Sequence, residues 1–308
     1  MMQALRPHSF ASERGFVIVA VLWILAALSA LAMTFSVYIA NSARVLAASD
    51  ISLQTEALVS SSLELTAYQL SATDGDGRPA QGSFRYRLGG ADVAVSFVSE
   101  AARIDLNAAP KELLRNFFFV LGADEEKAGE YADRIVAWRT RPPADKAETE
   151  EALYRAAGLA YSPRQAPFTH VNELALVLGI PRQLVERALP LVTVFSGAPD
   201  VDVLTAAPEV VAALPGMTTS GLGDFLNTRA RLPRDEAAVG AALGPAKAAA
   251  MVQQSKSFRV LTTVSFADGR KTAAEAVIAL GGEEEPYRVL SWQDDVALTM
   301  RPSSGASQ

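Results

Sequence analysis

The longest hydrophobic run of the chain lies near its N-terminus, between Phe16 and Ala43, and contains no charged side chain. A helix rises about 1.5 Å per residue, so about 20 apolar residues cross the hydrocarbon core of a bilayer. Arg6 and Arg14 precede the run; Arg44 follows it, and acidic residues then appear from Asp50 onward. The positive-inside rule therefore predicts a single-pass anchor over residues 16–43, with the N-terminus in the cytoplasm and the rest of the chain on the other side.

The helical pattern continues from this run to about Thr73. No proline or glycine interrupts it after the apolar run, and Ile51, Leu58 and Leu65 recur at seven-residue spacing, with Leu63 and Leu70 beside them. Such a repeat marks one apolar stripe along a helix. We therefore expect this half of the helix to pack on its own domain and to end at the Asp-Gly-Asp-Gly stretch that follows.

Strands are predicted at both ends of the remaining chain, where apolar and polar residues alternate. Residues 83–88 and 91–98 flank the pair Gly89-Gly90, which is typical of a β-hairpin. Three further alternating stretches cover 258–266, 273–280 and 287–292. We expect one antiparallel sheet packed on the N-terminal helix, an α+β architecture.

The region between these strands, residues 105–254, has a helical pattern with an internal echo. The sequence IDLNAAP begins at Ile104 and VDVLTAAP begins at Val201; Asn107 and Thr205 are candidate helix caps in the two copies. Three glycine turns between predicted helices resemble helix-hairpin-helix units. They are Leu121-Gly122-Ala123, Leu178-Gly179-Ile180 and Pro215-Gly216-Met217.

Composition excludes most familiar enzyme chemistry. The 308 residues are half hydrophobic and 20% charged, which is typical of a globular protein. The absence of cysteine excludes disulfides, thiolate metal sites and cysteine nucleophiles. The histidines are His8 and His170, so a zinc site or a Ser/His/Asp site would depend on His170. Thr169 or Asn172 beside it is predicted to cap a helix, and we predict no catalytic site.

Helix-hairpin-helix units often bind DNA, which makes a membrane-anchored DNA-binding protein the alternative interpretation. From Arg103 to Gln254 there are 16 Lys and Arg against 19 Asp and Glu, so 16 − 19 = −3. A DNA-binding module normally carries a basic surface. We therefore expect packing or protein contact rather than nucleic-acid binding.

The N-terminal stretch permits three interpretations. Ala30-Leu31-Ala32 matches the small-residue site of a cleaved signal peptide. The second interpretation is a membrane anchor that is not cleaved. The third depends on Arg14-Gly15-Phe16, which resembles the cleavage site of type IV prepilins and pseudopilins. In that family a prepilin peptidase cuts after the glycine and methylates the new N-terminus, which here would be Phe16.

One departure from the pseudopilin pattern is informative. Most pseudopilins carry glutamate at the fifth residue after the cut, and this chain has Ala20 there. A buried N-terminal ammonium is unfavourable unless a carboxylate pairs with it. A subunit without that carboxylate suits the end of a filament better than its middle.

The whole chain from Glu13 to about Asp295 resembles the minor pseudopilin K family of type II secretion. The resemblance rests on the cleavage site, Ala20, Leu22-Trp23, Asp105–Pro110, Thr169–Leu174 and Val289–Trp292. It implies a pseudopilin fold, a long N-terminal helix on a small antiparallel sheet, plus a large inserted all-α domain. It also implies a non-enzymatic subunit in the bacterial inner membrane, with its globular body in the periplasm.

The resemblance further implies partners: minor pseudopilins I and J, other pseudopilins, the prepilin peptidase, and the secretin or exported substrates. With I and J, the subunit would initiate or cap the pseudopilus at its tip for export of folded proteins across the outer membrane. Some members of the family bind calcium, but no loop here matches well enough to name ligands. No other cofactor is implied.

The expected domains follow from these patterns. They are a leader peptide (1–15), a transmembrane or filament-core helix (16–43), a pseudopilin helix with the first hairpin (44–104), the inserted helical domain (105–254), the C-terminal strands (255–295) and a disordered tail (296–308).

Overall fold

The computed structural model describes residues 13–73, 77–142, 147–252, 255–282, 285–294 and 296. The leader residues 1–12, most of the Asp-Gly turn after Thr73, and the tail beyond 296 lie outside the described residues. The chain divides into two units between Ala57 and Leu58.

The N-terminal helix α1 spans Glu13–Ser71, close to the predicted 16–73. It passes without a break through Gly15, so the boundary expected between leader and anchor is not a helix boundary.

In the second unit, α1 buries one face against the sheet. The predicted stripe is only partly correct: Leu58 is buried, but Leu65 is 39% exposed. Ser62 and Thr66 occupy the centre of the buried face, where an apolar pattern does not expect them. The hydroxyl of Ser62 pairs with that of Thr262 at 2.5 Å, which satisfies both groups.

Five antiparallel strands form the sheet, in the order β1-β2-β7-β8-β9. All five predicted strands are present. Their bounds are β1 Gln81–Leu88, β2 Ala91–Ser99, β7 Ser257–Ser265, β8 Lys271–Leu280 and β9 Tyr287–Gln293. Gly89 and Gly90 both have positive φ, 58° and 78°, as the two-residue turn between β1 and β2 requires.

The chain leaves the sheet after β2 and returns at β7 through residues 100–256, which we call the helical segment. Its α-helices are α2 Lys111–Val120, α3 Glu125–Arg139, α4 Ala147–Ala156, α5 Arg182–Ala188, α6 Pro208–Ala212, α7 Thr219–Thr228 and α8 Glu236–Leu243. The segment also contains four two-residue strands: β3 Ile104–Asp105, β4 Val192–Thr193, β5 Val201–Asp202 and β6 Ala250–Met251.

The prediction of an all-α region is therefore wrong in one respect. Strand β3 pairs with β4, and β5 pairs with β6, each as a short parallel ladder. Two residues per strand are too few to produce a detectable alternation, because that pattern needs at least about four.

Two apolar cores stabilise the second unit. One lies between α1 and the sheet and includes Leu63, Leu70, Val95 and Phe258. The other fills the helical segment and is the larger of the two. Aromatic rings contribute to it strongly, since Phe118 packs edge-on against both Phe117 and Tyr131, with ring centroids 5.5 and 5.6 Å away.

Candidate functional site

The residues predicted for processing all lie in the N-terminal part of α1 that the structure describes. Arg14, Gly15 and Phe16 are helical, and Ala20 lies about one turn after Phe16. The candidate cleavage site and Ala20, the position where most pseudopilins carry glutamate, therefore lie on the same helix. The structure does not test cleavage or methylation, which stay predictions.

The helix beyond this site is apolar and uncovered. Val17–Asn41 has a mean hydropathy of 2.5, and none of it is buried. Trp23, for example, is 72% exposed. At about 1.5 Å per residue these 25 residues extend about 37 Å, more than the ~30 Å core of a bilayer. An apolar surface of this size fits a single-pass membrane anchor.

A second candidate region is a buried charged cluster that connects the helical segment to the sheet. Glu100, in the 3₁₀ turn after β2, is fully buried. Its carboxylate accepts from Arg259 of β7 at 2.9 and 3.2 Å and from Arg103 at 3.0 Å. Arg259 also pairs with Glu275 of β8 at 2.5 Å, and Thr193 of β4 donates its hydroxyl to Glu100.

The electrostatics of this cluster favour the ionised carboxylate. Burial alone would raise the pKa of Glu100, but the hydrogen bonds and charge of Arg259, followed by the charge of Arg103 and the hydroxyl of Thr193, hold the pKa below its ordinary 4.5. The four charged side chains sum to zero. Oppositely charged side chains lie within hydrogen-bonding distance here, and the Thr193 hydroxyl adds a further contact. The cluster therefore connects strands β4, β7 and β8 to the turn after β2.

The two similar sequences, IDLNAAP from Ile104 and VDVLTAAP from Val201, form a structural repeat. Asp105 and Asp202 are both buried, and each begins a turn that leads to an Ala-Ala-Pro sequence. The Asp105 carboxylate accepts the backbone N–H of Asn107 at 2.7 Å, and that of Asp202 accepts the N–H of Leu204 at 3.2 Å. Each aspartate also belongs to one of the parallel ladders. Both copies therefore share the same local structure.

Different contacts stabilise the two buried aspartates. Asp105 accepts the N–H of Gly197 at 2.7 Å, and burial raises the pKa of its carboxyl despite these backbone bonds. Asp202 pairs with Arg234 at 2.8 Å. The expected caps are wrong in both copies. Asn107 bonds the backbone of Phe168 instead, and Thr205 bonds the Asp202 carboxylate.

The three predicted glycine turns are confirmed. Gly122, Gly179 and Gly216 have φ values of 97°, 87° and 81°, a region that only glycine adopts readily. Gly122 connects α2 to α3, and Gly216 connects α6 to α7. The helix before Gly179 is a short 3₁₀ turn, Val171–Leu176, rather than an α-helix.

Replacing Gly216 by alanine is expected to lower the free energy of unfolding by about 1–2 kcal/mol, the cost of a left-handed conformation for an L-residue. An added Cβ would also lie 3.2 Å from the carbonyl oxygen of Pro245. The matched control is Gly129→Ala within α3, where a Cβ meets nothing within 4 Å. It is expected to stabilise by about 0.5–1 kcal/mol. Urea unfolding measures both, and equal effects would contradict the prediction.

His170 has a structural role in the described chain. Its Nδ1 accepts the backbone N–H of Asn172 at 3.1 Å, so His170 itself caps the 3₁₀ turn. The prediction that Thr169 or Asn172 caps this turn is therefore wrong. Among the described residues no group of three His, Asp or Glu side chains is placed to hold a metal ion.

The hairpin at Gly122 is followed by acidic side chains that a DNA backbone would meet. The turn at Gly122 is followed by Asp124, Glu125 and Glu126, and all three side chains are exposed. Carboxylates at this position repel phosphates, which a DNA-binding hairpin would have to approach. The DNA-binding alternative therefore gains no support from these contacts.

Comparison with known structures defines the class of the fold. The chain resembles a chain in the crystal structure of the GspK–GspI–GspJ complex from the type 2 secretion system of enterotoxigenic Escherichia coli. The TM-score is 0.58 at 17% identity, over 78% of this chain and 94% of the other. This likeness concerns the fold, which combines helices and an antiparallel sheet with an N-terminal helix.

A family model matches the sequence of part of this fold. Residues 95–197 match the family model of type II secretion system protein K. Together with the fold, this match confirms the resemblance of the chain to the type II secretion protein K family. A search of curated proteins gave no significant match.

The charged cluster is the feature that the sequence did not reveal. Arg259 lies 159 positions after Glu100, and Thr193 lies 93 positions after it. The available signal was weak: Arg259 interrupts the apolar pattern of β7, between Phe258 and Val260. Such a residue marks the other face of a sheet, but it does not identify its partner.

Proposed function

We propose that this chain is the minor pseudopilin at the tip of the type II secretion pseudopilus, where it initiates or caps assembly with minor pseudopilins I and J. It would serve the export of folded proteins across the outer membrane. Its role in this proposal is structural. The observation that carries the proposal is the uncovered apolar helix of α1, which starts at the Gly15–Phe16 site and carries alanine at position 20.

In this proposal the prepilin peptidase cuts after Gly15 and methylates Phe16. The helix then anchors the subunit in the inner membrane with its N-terminus cytoplasmic and its body periplasmic, before the subunit enters the filament. The family match and the likeness to a complex of K with I and J support these assignments. The helical segment supplies the bulk that would end the filament, and its surface would meet the secretin or exported substrates.

Restoring the usual glutamate by Ala20→Glu tests the position of the subunit. A carboxylate there would pair with the ammonium of a neighbour, so we expect the variant to appear along filaments rather than at tips only. Immunogold labelling of pseudopili measures this. Ala20→Gln is the control of equal size without charge, and it should keep tip labelling. An unchanged distribution for both variants would contradict the proposal.

Deletion of the helical segment tests the capping role. Ser99 and Phe258 are register partners in adjacent antiparallel strands, so a two-residue Asn-Gly turn can join them directly. We expect the shortened chain to keep the sheet, because β2 and β7 already pair, and to lose secretion of the exported protein. Normal secretion and tip assembly by a folded deletion variant would refute the capping idea.

A further inference from the structure

The two apolar cores of the second unit do not merge. In the part of the chain that the structure describes, one core is built from residues between Ile104 and Val252, and the other is built from α1 and the long strands. No described residue belongs to both cores. We call residues 104–252 the helical body, and we call α1 from Leu58 together with the five long strands the sheet body. Two bodies without a common apolar core can change their relative orientation unless other contacts prevent it.

The turn of residues 100–103 supplies contacts to both bodies. The carboxylate of Glu100 accepts from Arg259 of the sheet body at 2.9 and 3.2 Å, and it also accepts the hydroxyl of Thr193 from the helical body. Arg103 donates through Nε to the carbonyl of Pro190 in the helical body at 3.1 Å. Glu100 is fully buried. A single buried carboxylate is therefore bonded to both bodies.

Two clefts adjoin this turn. One, of about 440 Å³, lies between Val98 of the sheet body and residues 204–207 of the helical body. The other, of about 330 Å³, lies between Ser291 of the sheet body and residues 170–172 of the helical body. Arg103 and Pro190 line both clefts, so the hydrogen bond between them separates the two spaces. Close packing, which normally resists rotation of one body on another, is therefore interrupted on both sides of the turn.

We propose that the carboxylate of Glu100 fixes the orientation of the helical body on the sheet body. Charge-assisted hydrogen bonds are directional, and buried ionic groups specify a unique arrangement in some proteins. With the carboxylate in place the helical body keeps one orientation, and without it the helical body tilts into the adjoining clefts. The inference does not depend on processing at Gly15 or on a position at the filament tip.

The first test measures the distance between the two bodies. The chain contains no cysteine, so spin labels attach only at cysteines that are introduced. Ser83→Cys on β1 and Glu126→Cys on α3 are both exposed and place one label on each body. Double electron–electron resonance on the full-length protein in dodecyl maltoside is expected to show one narrow distance distribution. Adding Glu100→Gln is expected to broaden it or to produce a second maximum, and an unchanged distribution would overturn the proposal.

A label pair within the helical body separates tilting from loss of structure. Glu126→Cys on α3 and Asn227→Cys on α7 are both exposed positions of this body. Glu100→Gln should leave their distance distribution unchanged, and broadening as large as that between the bodies would overturn the proposal. Glu186→Gln removes a carboxylate from an exposed pair with Arg182 at 2.8 Å. It should change neither distribution, because exposed pairs contribute little, and broadening equal to that of Glu100→Gln would also overturn the proposal.

A milder pair of variants keeps every charge in place. Thr193→Val removes the hydroxyl contact between the helical body and Glu100 at nearly constant size. Its matched control, Thr205→Val, removes a hydroxyl bond to the carboxylate of Asp202 at 2.8 Å, within the helical body. Thr193→Val is expected to broaden the distribution between the bodies, though less than Glu100→Gln does, since one hydrogen bond rather than a charge is lost. Thr205→Val should leave that distribution unchanged, and equal distributions for the two threonine variants would overturn the proposal.

Discussion

Replacing Glu100 by glutamine is expected to lower the free energy of unfolding by about 3–5 kcal/mol, because the change leaves two buried cations, Arg103 and Arg259, with one carboxylate, that of Glu275. The side chains of Arg259 and Arg103 are only 18% and 13% exposed, so water cannot replace the carboxylate. Urea unfolding of the full-length protein in dodecyl maltoside, followed by tryptophan fluorescence, measures the loss.

The matched control is Glu186→Gln. Glu186 pairs with Arg182 on the surface at 2.8 Å, and both side chains are largely exposed. Exposed pairs of this kind contribute about 0.2–1 kcal/mol, so the control should change stability little. Similar losses for the two variants would mean that burial does not strengthen the cluster, contrary to our account.

The pH dependence of this effect has a defined sign. Since the pKa of Glu100 is lowered in the folded state, its ionisation stabilises the fold at pH above its ordinary value of 4.5. That contribution disappears as the pH falls below 4.5 and through the lower folded pKa. The stability difference between the wild type and Glu100→Gln should therefore be constant near neutral pH and shrink only in this acidic range.

Truncation of Phe118 to alanine is the second large effect that we expect, with a loss of about 3–5 kcal/mol. Phe118 is fully buried and lies between Phe117 and Tyr131, so its removal leaves a cavity in the core of the helical segment. The same urea unfolding experiment measures it.

Phe119 provides an adjacent control on the same helix. It is 57% exposed, so Phe119→Ala removes the same atoms without opening a cavity. Both replacements gain the same helix propensity, which cancels in the comparison. We expect Phe119→Ala to change stability by no more than about 0.5 kcal/mol. A loss at Phe119 as large as that at Phe118 would contradict the burial that the structure assigns to these two rings.

Local patterns predicted the elements of this fold well. The uncharged apolar run, the Gly89-Gly90 turn and the alternating strands each depend on residues close together in the sequence. The three hairpin glycines could also be found, because a left-handed residue between two helices strongly favours glycine. The echo of IDLNAAP indicated a repeat, which the paired ladders of β3–β4 and β5–β6 show in three dimensions.

What could not be predicted depends on contacts between distant segments. The ladders are too short to produce alternation, and the polar pair Ser62 and Thr262 lies where a pattern expects apolar residues. Of the candidate processing residues, the sequence supplies the motif and the structure adds the continuous helix that carries it.

We propose that this chain is processed and assembled as a pseudopilin. The most direct test is the intact mass and N-terminal residue of the protein purified from its own membranes. Our account predicts a mature chain that begins at methylated Phe16. A chain that begins at Met33, after Ala30-Leu31-Ala32, would be a secreted protein without its anchor and would contradict the account, as would a chain that retains its leader.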